Sequence, residues 1–169
     1  MPTPYSYPYR PEGWATDIYP MPAFTQLAVS DLDRSATWYQ QVLGFADVFT
    51  MRAADNTPIL AHVRWCTFGD VLLVASNAAS SELRGRGITL YFSADDVDVI
   101  VERAGAHQVV PLDGPGDRPW NAREVTFADP DGYRLTFTAP TAELRARVAA
   151  GTLESMDAVV ERWRSAFRS

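Results

Sequence analysis

The same order of predicted secondary-structure elements occurs twice along this 169-residue chain. In residues 23–77, a strand is followed by a helix and then by three more strands. Residues 87–139 repeat this order, and superimposing the two helix starts places Thr89 on Phe24. An internal repeat is a structural unit that packs against its own copy. The sequence therefore predicts an α+β fold built from two tandem βαβββ modules.

Residues that start and stop helices mark the predicted helix boundaries in both modules. An aspartate stands at each helix start, Asp31 and Asp96, where its side chain can accept a bond from a free backbone N–H. Gly44 and Gly105 stand at the expected C-terminal ends. After the second helix we expect a strand in "HQVVPL" and, because glycine and proline favour loops, a loop in "DGPGDRP".

The last two strands are predicted to form a hairpin around the stretch "FADPDGYRLTF". Pro130 presets φ at one corner of the turn, and Gly132 supplies a positive φ. The runs on each side, "REVTF" and "YRLTF", are rich in residues that favour strands.

Three segments lie outside the modules. Residues 1–22 are rich in proline and large aromatic side chains, which predicts an extended segment, either a disordered tail or an arm lying on the domain or on a neighbouring subunit. Residues 78–86 have the composition of a linker. Residues 140–169 are predicted to be helical, with an apolar stripe that packs either on its own domain or across a dimer.

Composition excludes some classes of function. The formal net charge of −6 argues against nucleic-acid binding, which needs a basic surface, and is compatible with a cationic ligand. No apolar run is long enough for a membrane span, and the N-terminal residues lack the pattern of a signal peptide. The only cysteine, Cys66, indicates a reducing compartment. We therefore expect a soluble cytoplasmic protein.

Alternation along the strands divides their residues between two faces of the predicted sheets. Apolar pairs such as Leu27 and Val29 suit a face covered by helices. The opposite, concave face is predicted to mix aromatic, apolar and hydroxyl groups, the usual lining of a small-molecule pocket. Its predicted members are Phe24, Gln26, Leu73, Ala75, Thr89, Tyr91, Arg134, Thr136 and Thr138.

The stretches "VSDLDRSATWYQQVLGF", "TLYFSADDVD" and "RPWNAREVTFADPDGYRLTF" resemble the glyoxalase/bleomycin-resistance/dioxygenase superfamily, also called vicinal oxygen chelate proteins. The resemblance covers residues 23–139. It implies that the paired modules curl a mixed sheet into a cup with helices outside. It also implies a homodimer with binding grooves between the subunits, as in the bleomycin-resistance proteins.

Enzymes of this superfamily hold a divalent metal in the cup with four histidine or glutamate side chains. Carried onto this sequence, the four positions are Phe24, Leu73, Thr89 and Thr136. Two of these residues lack any donor atom and two are neutral hydroxyls, whereas divalent cations prefer imidazole or carboxylate ligands. We therefore expect a cup without a metal or another cofactor.

The candidate ligand-binding residues combine the concave face with nearby aromatic and charged groups. For Trp65 and Tyr91 the alternatives are stacking on a flat ligand or filling the core. Glu124 is predicted to bind a cation or act as a general base, or else to pair with Arg123 or Arg134. The full set is Phe24, Gln26, Trp65, Leu73, Thr89, Tyr91, Trp120, Glu124, Arg134 and Thr136.

The leading hypothesis is a metal-independent protein that sequesters an aromatic or cationic antibiotic or natural product. The alternative is a metal-independent enzyme of the same fold, an isomerase, cyclase or hydrolase, with Glu124 and Tyr91 as acid–base groups. A third hypothesis is a glyoxalase- or dioxygenase-type metalloenzyme with displaced ligands. His62 and His107 are expected to have surface or structural roles, and Cys66 to be a buried, inert thiol.

Overall fold

The protein is described here as a computed structural model that covers residues 10, 12–17, 19, 21, 23–76 and 85–152. Within these residues, no helix is long and apolar enough to cross a membrane. The predicted linker and the apolar stripe of the last predicted helix lie mostly or wholly outside the described residues.

The first module forms a four-stranded mixed sheet with one helix. The strands lie in the order β1-β4-β3-β2, with β1 parallel to β4 and the other neighbours antiparallel. Helix α1 ends in a turn of π-helix, Tyr39–Leu43. The elements are β1 (Thr25–Val29), α1 (Leu32–Trp38, then the π-helical turn), β2 (Ala46–Arg52), β3 (Pro58–Arg64) and β4 (Asp70–Ala75).

The second module repeats this arrangement and is followed by a short helix. Its strands lie in the order β5-β8-β7-β6, and β5 is parallel to β8. The prediction of two βαβββ modules is thereby confirmed, with each module forming its own sheet. The elements are β5 (Thr89–Ser93), α2 (Val97–Ala106), β6 (Asp113–Asp117), β7 (Ala122–Ala128), β8 (Arg134–Pro140) and α3 (Ala142–Ala149).

The predicted helix starts are confirmed in both modules. The Asp31 side chain accepts a hydrogen bond from the backbone N–H of Arg34, and the Asp96 side chain accepts one from that of Asp98. Gly44 ends the first helical segment with a φ of 86°, a left-handed conformation that glycine adopts without a steric penalty. The repeated sequence thus produces the same local cap at both helix starts.

The predicted position of strand β6 is wrong. The strand occupies residues 113–117, which were predicted as a loop, and the apolar run before it is not a strand. β6 is the edge strand of its sheet and pairs with β7 alone. An edge position tolerates glycine and proline because one row of its backbone groups needs no partner strand. The edge position therefore allows a strand in a segment whose composition is typical of a loop.

Among the described residues, the buried apolar side chains form a single cluster that joins the two modules. The ring centroid of Trp65 lies 4.8 Å from that of Phe137, and Phe45 lies 5.3 Å from Phe92. Helix α2 also packs against the π-helical turn after α1. The helix-covered faces of the two sheets therefore face each other across this core. The opposite face of each sheet, here called the outer face of module 1 or module 2, is directed away from it.

The Asp-Pro-Asp-Gly turn confirms the predicted hairpin and also holds the modules together. Asp131 accepts hydrogen bonds from the backbone N–H of Ser30, at 3.0 Å, and from the Ser35 hydroxyl, at 3.3 Å. Asp129 accepts one at 3.1 Å from the Tyr39 hydroxyl. Burial raises the pKa of the Asp129 carboxyl, although backbone N–H groups and Tyr39 partly oppose this effect. The turn is therefore a polar link between modules as well as a hairpin connection.

Candidate functional site

The outer face of module 2 gathers four of the predicted site residues. Tyr91 stands beside Thr136 in the pairing of β5 with β8, and Thr89 stands beside Arg134. Neighbouring positions of paired strands project to the same side of a sheet, so these side chains share one surface. They belong to a pocket of about 320 Å³ lined by Thr89, Tyr91, Leu112, Asp113, Thr126, Arg134 and Thr136.

Hydroxyl groups define the chemistry of this pocket. The Thr126 and Thr136 hydroxyls hydrogen-bond each other at 2.8 Å across β7 and β8. The Tyr91 side chain is 62% exposed, so its ring is available to a flat ligand. The pocket therefore offers stacking and neutral hydrogen bonding, together with the charged side chains of Asp113 and Arg134 in its wall.

Glu124 lies further along the same face, beside Thr138 of β8. It is buried, and its Oε1 accepts a hydrogen bond at 3.0 Å from the indole N–H of Trp120. Its Oε2 lies 3.5 Å from Nε of Arg118. Arg118 thus takes the role predicted for Arg123 or Arg134. The Glu124 carboxylate therefore lies between the Trp120 indole and the Arg118 guanidinium.

A larger groove of about 520 Å³ runs from the start of β1 to β5. Phe24, 51% exposed, lies on its wall together with Thr89 and Tyr91. Because Thr89 and Tyr91 also line the smaller pocket, the two cavities meet at β5. The structure thus brings Phe24 from module 1 to the same region as the predicted residues of module 2.

Three predicted residues have different surroundings. Leu73 is fully buried and pairs with Leu27 of β1, so it lies on the helix-covered face and its predicted outward orientation is wrong. Leu72 takes the outer position and pairs with Gln26, which lies exposed on the outer face of module 1. Trp65 is 5% exposed and packs on Phe137, so it belongs mainly to the core.

The error at Leu73 arises because β4 is apolar at every position after Asp70. In such a strand, alternation alone does not fix the register, and a shift of one residue moves every side chain to the other face. The pairing of β4 with β1 decides which residues of β4 face the helices, and it places Leu73 on that face.

The outer face of module 1 carries a buried cluster of ionisable side chains. Asp70 accepts a hydrogen bond at 2.6 Å from Nε of Arg64, and its Oδ1 lies 2.7 Å from Nε2 of His62. All three residues are less than 5% exposed. The predicted structural role of His62 agrees with this placement, and the exposed His107 ends helix α2.

N-terminal residues cover this cluster. We call residues 12–17 together with Tyr19 the strap. Arg64 donates from Nη1 to the backbone carbonyls of Trp14, at 2.7 Å, and Asp17, at 2.8 Å. The Tyr19 hydroxyl donates to Asp70 and accepts from the backbone N–H of Phe68. The described arm residues therefore lie on module 1, and they include a turn at residues 12–16 where extended structure was expected.

The two partners in the Tyr19–Asp70 contact have opposite pKa shifts. Burial and the hydrogen bond to Asp70 raise the pKa of the Tyr19 hydroxyl. Burial disfavours the ionised Asp70 carboxyl, but hydrogen bonds from Tyr19, Arg64 and His62 outweigh it and lower its pKa. At neutral pH Tyr19 is therefore a neutral donor and Asp70 a charged acceptor.

The sequence did not single out this cluster. Arg64 and Asp70 face each other across the β3–β4 hairpin in strands that are apolar apart from these two residues and His62, and that pattern indicates a buried ion pair. The contribution of Tyr19 could not be predicted, because it depends on how a distant segment folds back over the sheet.

The residues at the four metal-ligand positions of the resemblance do not fit a metal. With the register corrected, these positions are Phe24, Leu72, Thr89 and Thr136. None carries the imidazole or carboxylate that such a site needs. In the part of the chain that the structure describes, no group of three or more His, Cys, Asp or Glu side chains is arranged to hold a metal ion. Cys66 is buried, and burial raises the pKa of its thiol.

A family comparison agrees with this architecture. The model of the glyoxalase/bleomycin resistance protein/dioxygenase superfamily matches residues 22–137. The chain belongs to this superfamily. The matched range covers both βαβββ modules up to the middle of β8, which includes every predicted site residue.

Solved structures similar to this superfamily member include one from Streptomyces and one from Micromonospora. TnmS3, described as an antibiotic binding protein from Streptomyces sp. CB03234, is 26% identical with a TM-score of 0.53, over 70% of this chain and 93% of its own. TioX from Micromonospora sp. ML1 is 25% identical with a TM-score of 0.57, over 69% of this chain and 96% of its own.

A third similar structure is a glyoxalase/bleomycin resistance protein from Streptomyces sp. CB03234. It is 26% identical with a TM-score of 0.51, over 68% of this chain and 96% of its own. None of the curated proteins matches the sequence.

Proposed function

We propose that this superfamily member binds a small molecule without a metal and sequesters an aromatic or cationic antibiotic or natural product. One observation carries the proposal: the four metal-ligand positions lack suitable donors, while the neighbouring surface keeps a pocket of stacking and hydroxyl groups. A binding protein needs such a surface, whereas metal-dependent members need the missing donors.

Two features of the outer face of module 2 and of the adjoining groove indicate the class of ligand. The exposed ring of Tyr91 and the side chain of Phe24 favour a flat, apolar body. The Glu124 carboxylate and the net charge of −6 favour a cationic substituent. The similar antibiotic binding protein TnmS3 supports an antibiotic as one such ligand.

We also propose a homodimer in which each binding cup lies between two subunits. The groove between β1 and β5 is open in the single chain, and a second chain placed over the outer faces would close it into a cup. Exposed apolar side chains on these faces, including Phe49, Met51 and Leu112, support burial against a partner. The single cysteine supports a reducing compartment such as the cytoplasm.

The enzyme hypothesis finds less support at the same residues. Tyr91 and Glu124 lie on β5 and β7, which are separated by β8, and Glu124 does not line the pocket that Tyr91 lines. A general base must reach a proton of the bound substrate, and the Glu124 carboxylate is already engaged by Trp120 and Arg118. Binding is therefore the function that this geometry favours.

A titration with matched variants tests the proposal. The full chain is titrated with a panel of flat aromatic antibiotics, with and without amino groups, and tryptophan fluorescence is recorded. For a cationic ligand, Glu124→Gln should weaken binding by about 10- to 100-fold, since a charge-assisted hydrogen bond contributes about 1.5–3 kcal/mol. Asp117→Asn is the control, because Asp117 is an exposed carboxylate on the neighbouring strand that pairs with Arg123.

Two results would contradict the proposal. The first is a panel in which no compound binds the wild-type chain. The second is an equal loss of affinity in Glu124→Gln and Asp117→Asn, which would indicate a general charge effect in place of a site at Glu124.

A further inference from the structure

We propose that the outer face of module 1 contains a subsite for a hydroxyaryl group, and that Tyr19 occupies this subsite in the unliganded protein. The inference rests on the proposed small-molecule binding and names a chemical group that the ligand carries. A ligand of this class would bind by replacing the Tyr19 side chain with its own hydroxyaryl ring.

Both the hydroxyl and the ring of Tyr19 make specific contacts of the kind that a bound ligand would make. Its hydroxyl donates to the Asp70 carboxylate and accepts a hydrogen bond at 2.7 Å from the backbone N–H of Phe68. The Arg64 guanidinium lies 4.6 Å from the ring centroid, within the range of a cation–π contact. The Phe68 ring meets the Tyr19 ring edge-on, with centroids 5.0 Å apart.

This arrangement distinguishes a phenol from a hydrocarbon of the same shape. Asp70 is a buried acceptor and the Phe68 N–H is a donor, and both face the hydroxyl oxygen of Tyr19. An aryl group without a hydroxyl would leave the buried Asp70 carboxylate without one of its three hydrogen bonds and the Phe68 N–H without this partner. The subsite therefore selects for the hydroxyl as well as for the ring.

The strap is held to module 1 independently of the Tyr19 side chain. Arg64 binds the backbone carbonyls of Trp14 and Asp17, and Arg10 donates to the carbonyl of Trp65 at 2.9 Å. The Tyr19 side chain can thus leave its place while these bonds remain.

The groove of about 520 Å³ adjoins the subsite, because Phe68 and Asp70 form part of its wall. A molecule whose hydroxyaryl group replaces the Tyr19 side chain has room there for the rest of its body. The groove leads from this point to Phe24 and Tyr91, the aromatic residues of the proposed binding surface.

The experiment removes the phenol side chain of Tyr19 by mutation and supplies a free phenol in solution. The full-length Tyr19→Ala variant is titrated by calorimetry with p-cresol, which reproduces the tyrosine side chain, and with toluene, which lacks the hydroxyl. We expect p-cresol to bind Tyr19→Ala at least tenfold more tightly than it binds the wild-type chain. We also expect it to bind this variant at least tenfold more tightly than toluene does.

Tyr133→Ala is the matched control. Tyr133 is also half-buried, and its hydroxyl also donates a hydrogen bond, to the carbonyl of Ala28, but it lies at the junction between the modules. This variant should gain no comparable affinity for p-cresol. If Tyr19→Ala does not fold alone, refolding it in p-cresol should restore the wild-type circular dichroism spectrum, and refolding in toluene should not.

Four results would overturn the inference: no binding of p-cresol to folded Tyr19→Ala, equal binding of toluene, equal gains in Tyr133→Ala, or no rescue of an unfolded Tyr19→Ala. These results leave the antibiotic titration untouched, so the subsite can fail while the proposed function stands. Conversely, a panel without binders combined with p-cresol binding to Tyr19→Ala would reject the proposed function and retain the subsite.

Discussion

The two outer faces have the same strand order but are used differently. On module 1 the surface is filled by the protein's own groups, with Asp70 bound by Arg64, His62 and Tyr19 under the strap. On module 2 the equivalent surface is open, with Tyr91 exposed near the hydrogen-bonded hydroxyls of Thr126 and Thr136. A duplicated scaffold can therefore fill the outer face of one copy with its own side chains and leave that of the other copy open.

The difference follows from which residue types stand at the outer positions. Arg64 and Asp70 are charged groups in a place that becomes buried, and such groups require partners. The strap supplies backbone carbonyls and a phenol, which meet this requirement. On module 2, Thr126 and Thr136 bond each other, and the buried Glu124 is bound by Trp120 and Arg118 of the same module, so these groups need no covering segment.

Removing the carboxylate of module 1 should produce the largest effect on stability. Asp70→Ala leaves the Arg64 guanidinium buried without its anion, which costs about 3–5 kcal/mol. Tyr91→Ala on module 2 should change the free energy of unfolding by less than about 0.5 kcal/mol, since the ring is exposed. Urea denaturation measures the free energy of unfolding of both variants. Equal losses in the two variants would contradict the difference between the two outer faces.

A second pair of variants tests which leucine of β4 faces the core. Leu73→Ala should cost about 2–5 kcal/mol because the side chain is fully buried on the helix-covered face. Leu72→Ala should cost clearly less, since Leu72 is half-buried on the outer face. Urea denaturation of the two variants side by side gives the comparison. A larger loss in Leu72→Ala would show that β4 has the register first predicted from sequence.

The smallest expected effect is a difference in pH dependence between Asp70 and Asp129. The pKa of Asp70 is lowered in the fold, so its contribution to stability is present above its unfolded pKa and is lost as pH falls through the folded value. The pKa of Asp129 is raised, so its contribution is present at acid pH and is lost as pH rises through the folded value. The two carboxylates should therefore change stability with opposite signs.

The Asp129→Asn variant tests the predicted pH dependence of the Asp129 contribution to stability. Relative to the wild-type chain, the variant should gain stability as pH rises from about 4 to 7, because the amide cannot ionise. Thermal melts across this range provide the measurement. A constant difference between the variant and the wild-type chain would show that Asp129 does not titrate differently in the folded state.

Much of the fold could be predicted from the sequence because its signals are local and repeated. Asp31, Asp96 and Gly44 mark helix ends through their own backbone chemistry, and the Asp-Pro-Asp-Gly turn specifies a hairpin. The position of β6 could not be predicted, since an edge strand needs only one partner and accepts glycine and proline. The orientation of Leu73 depended on register with another strand, which alternation in an apolar run does not specify.

The candidate site was predictable in part for the same reason. Thr89, Tyr91, Arg134 and Thr136 alternate clearly with apolar neighbours, so their common face followed from sequence. Trp65 was ambiguous because a large aromatic suits both a pocket and a core. The Tyr19–Asp70 contact joins residues 51 positions apart through the path of an irregular segment, which no periodic pattern encodes.

The most direct test of the account is a binding titration of the chain after exhaustive dialysis against a chelator, repeated after adding back Zn²⁺, Mn²⁺ or Fe²⁺. We predict that an aromatic or cationic antibiotic binds the metal-stripped chain and that its Kd is unchanged by any of the three cations. Binding that appears only after a cation is restored would contradict the central claim that this protein recognises its ligand without a metal.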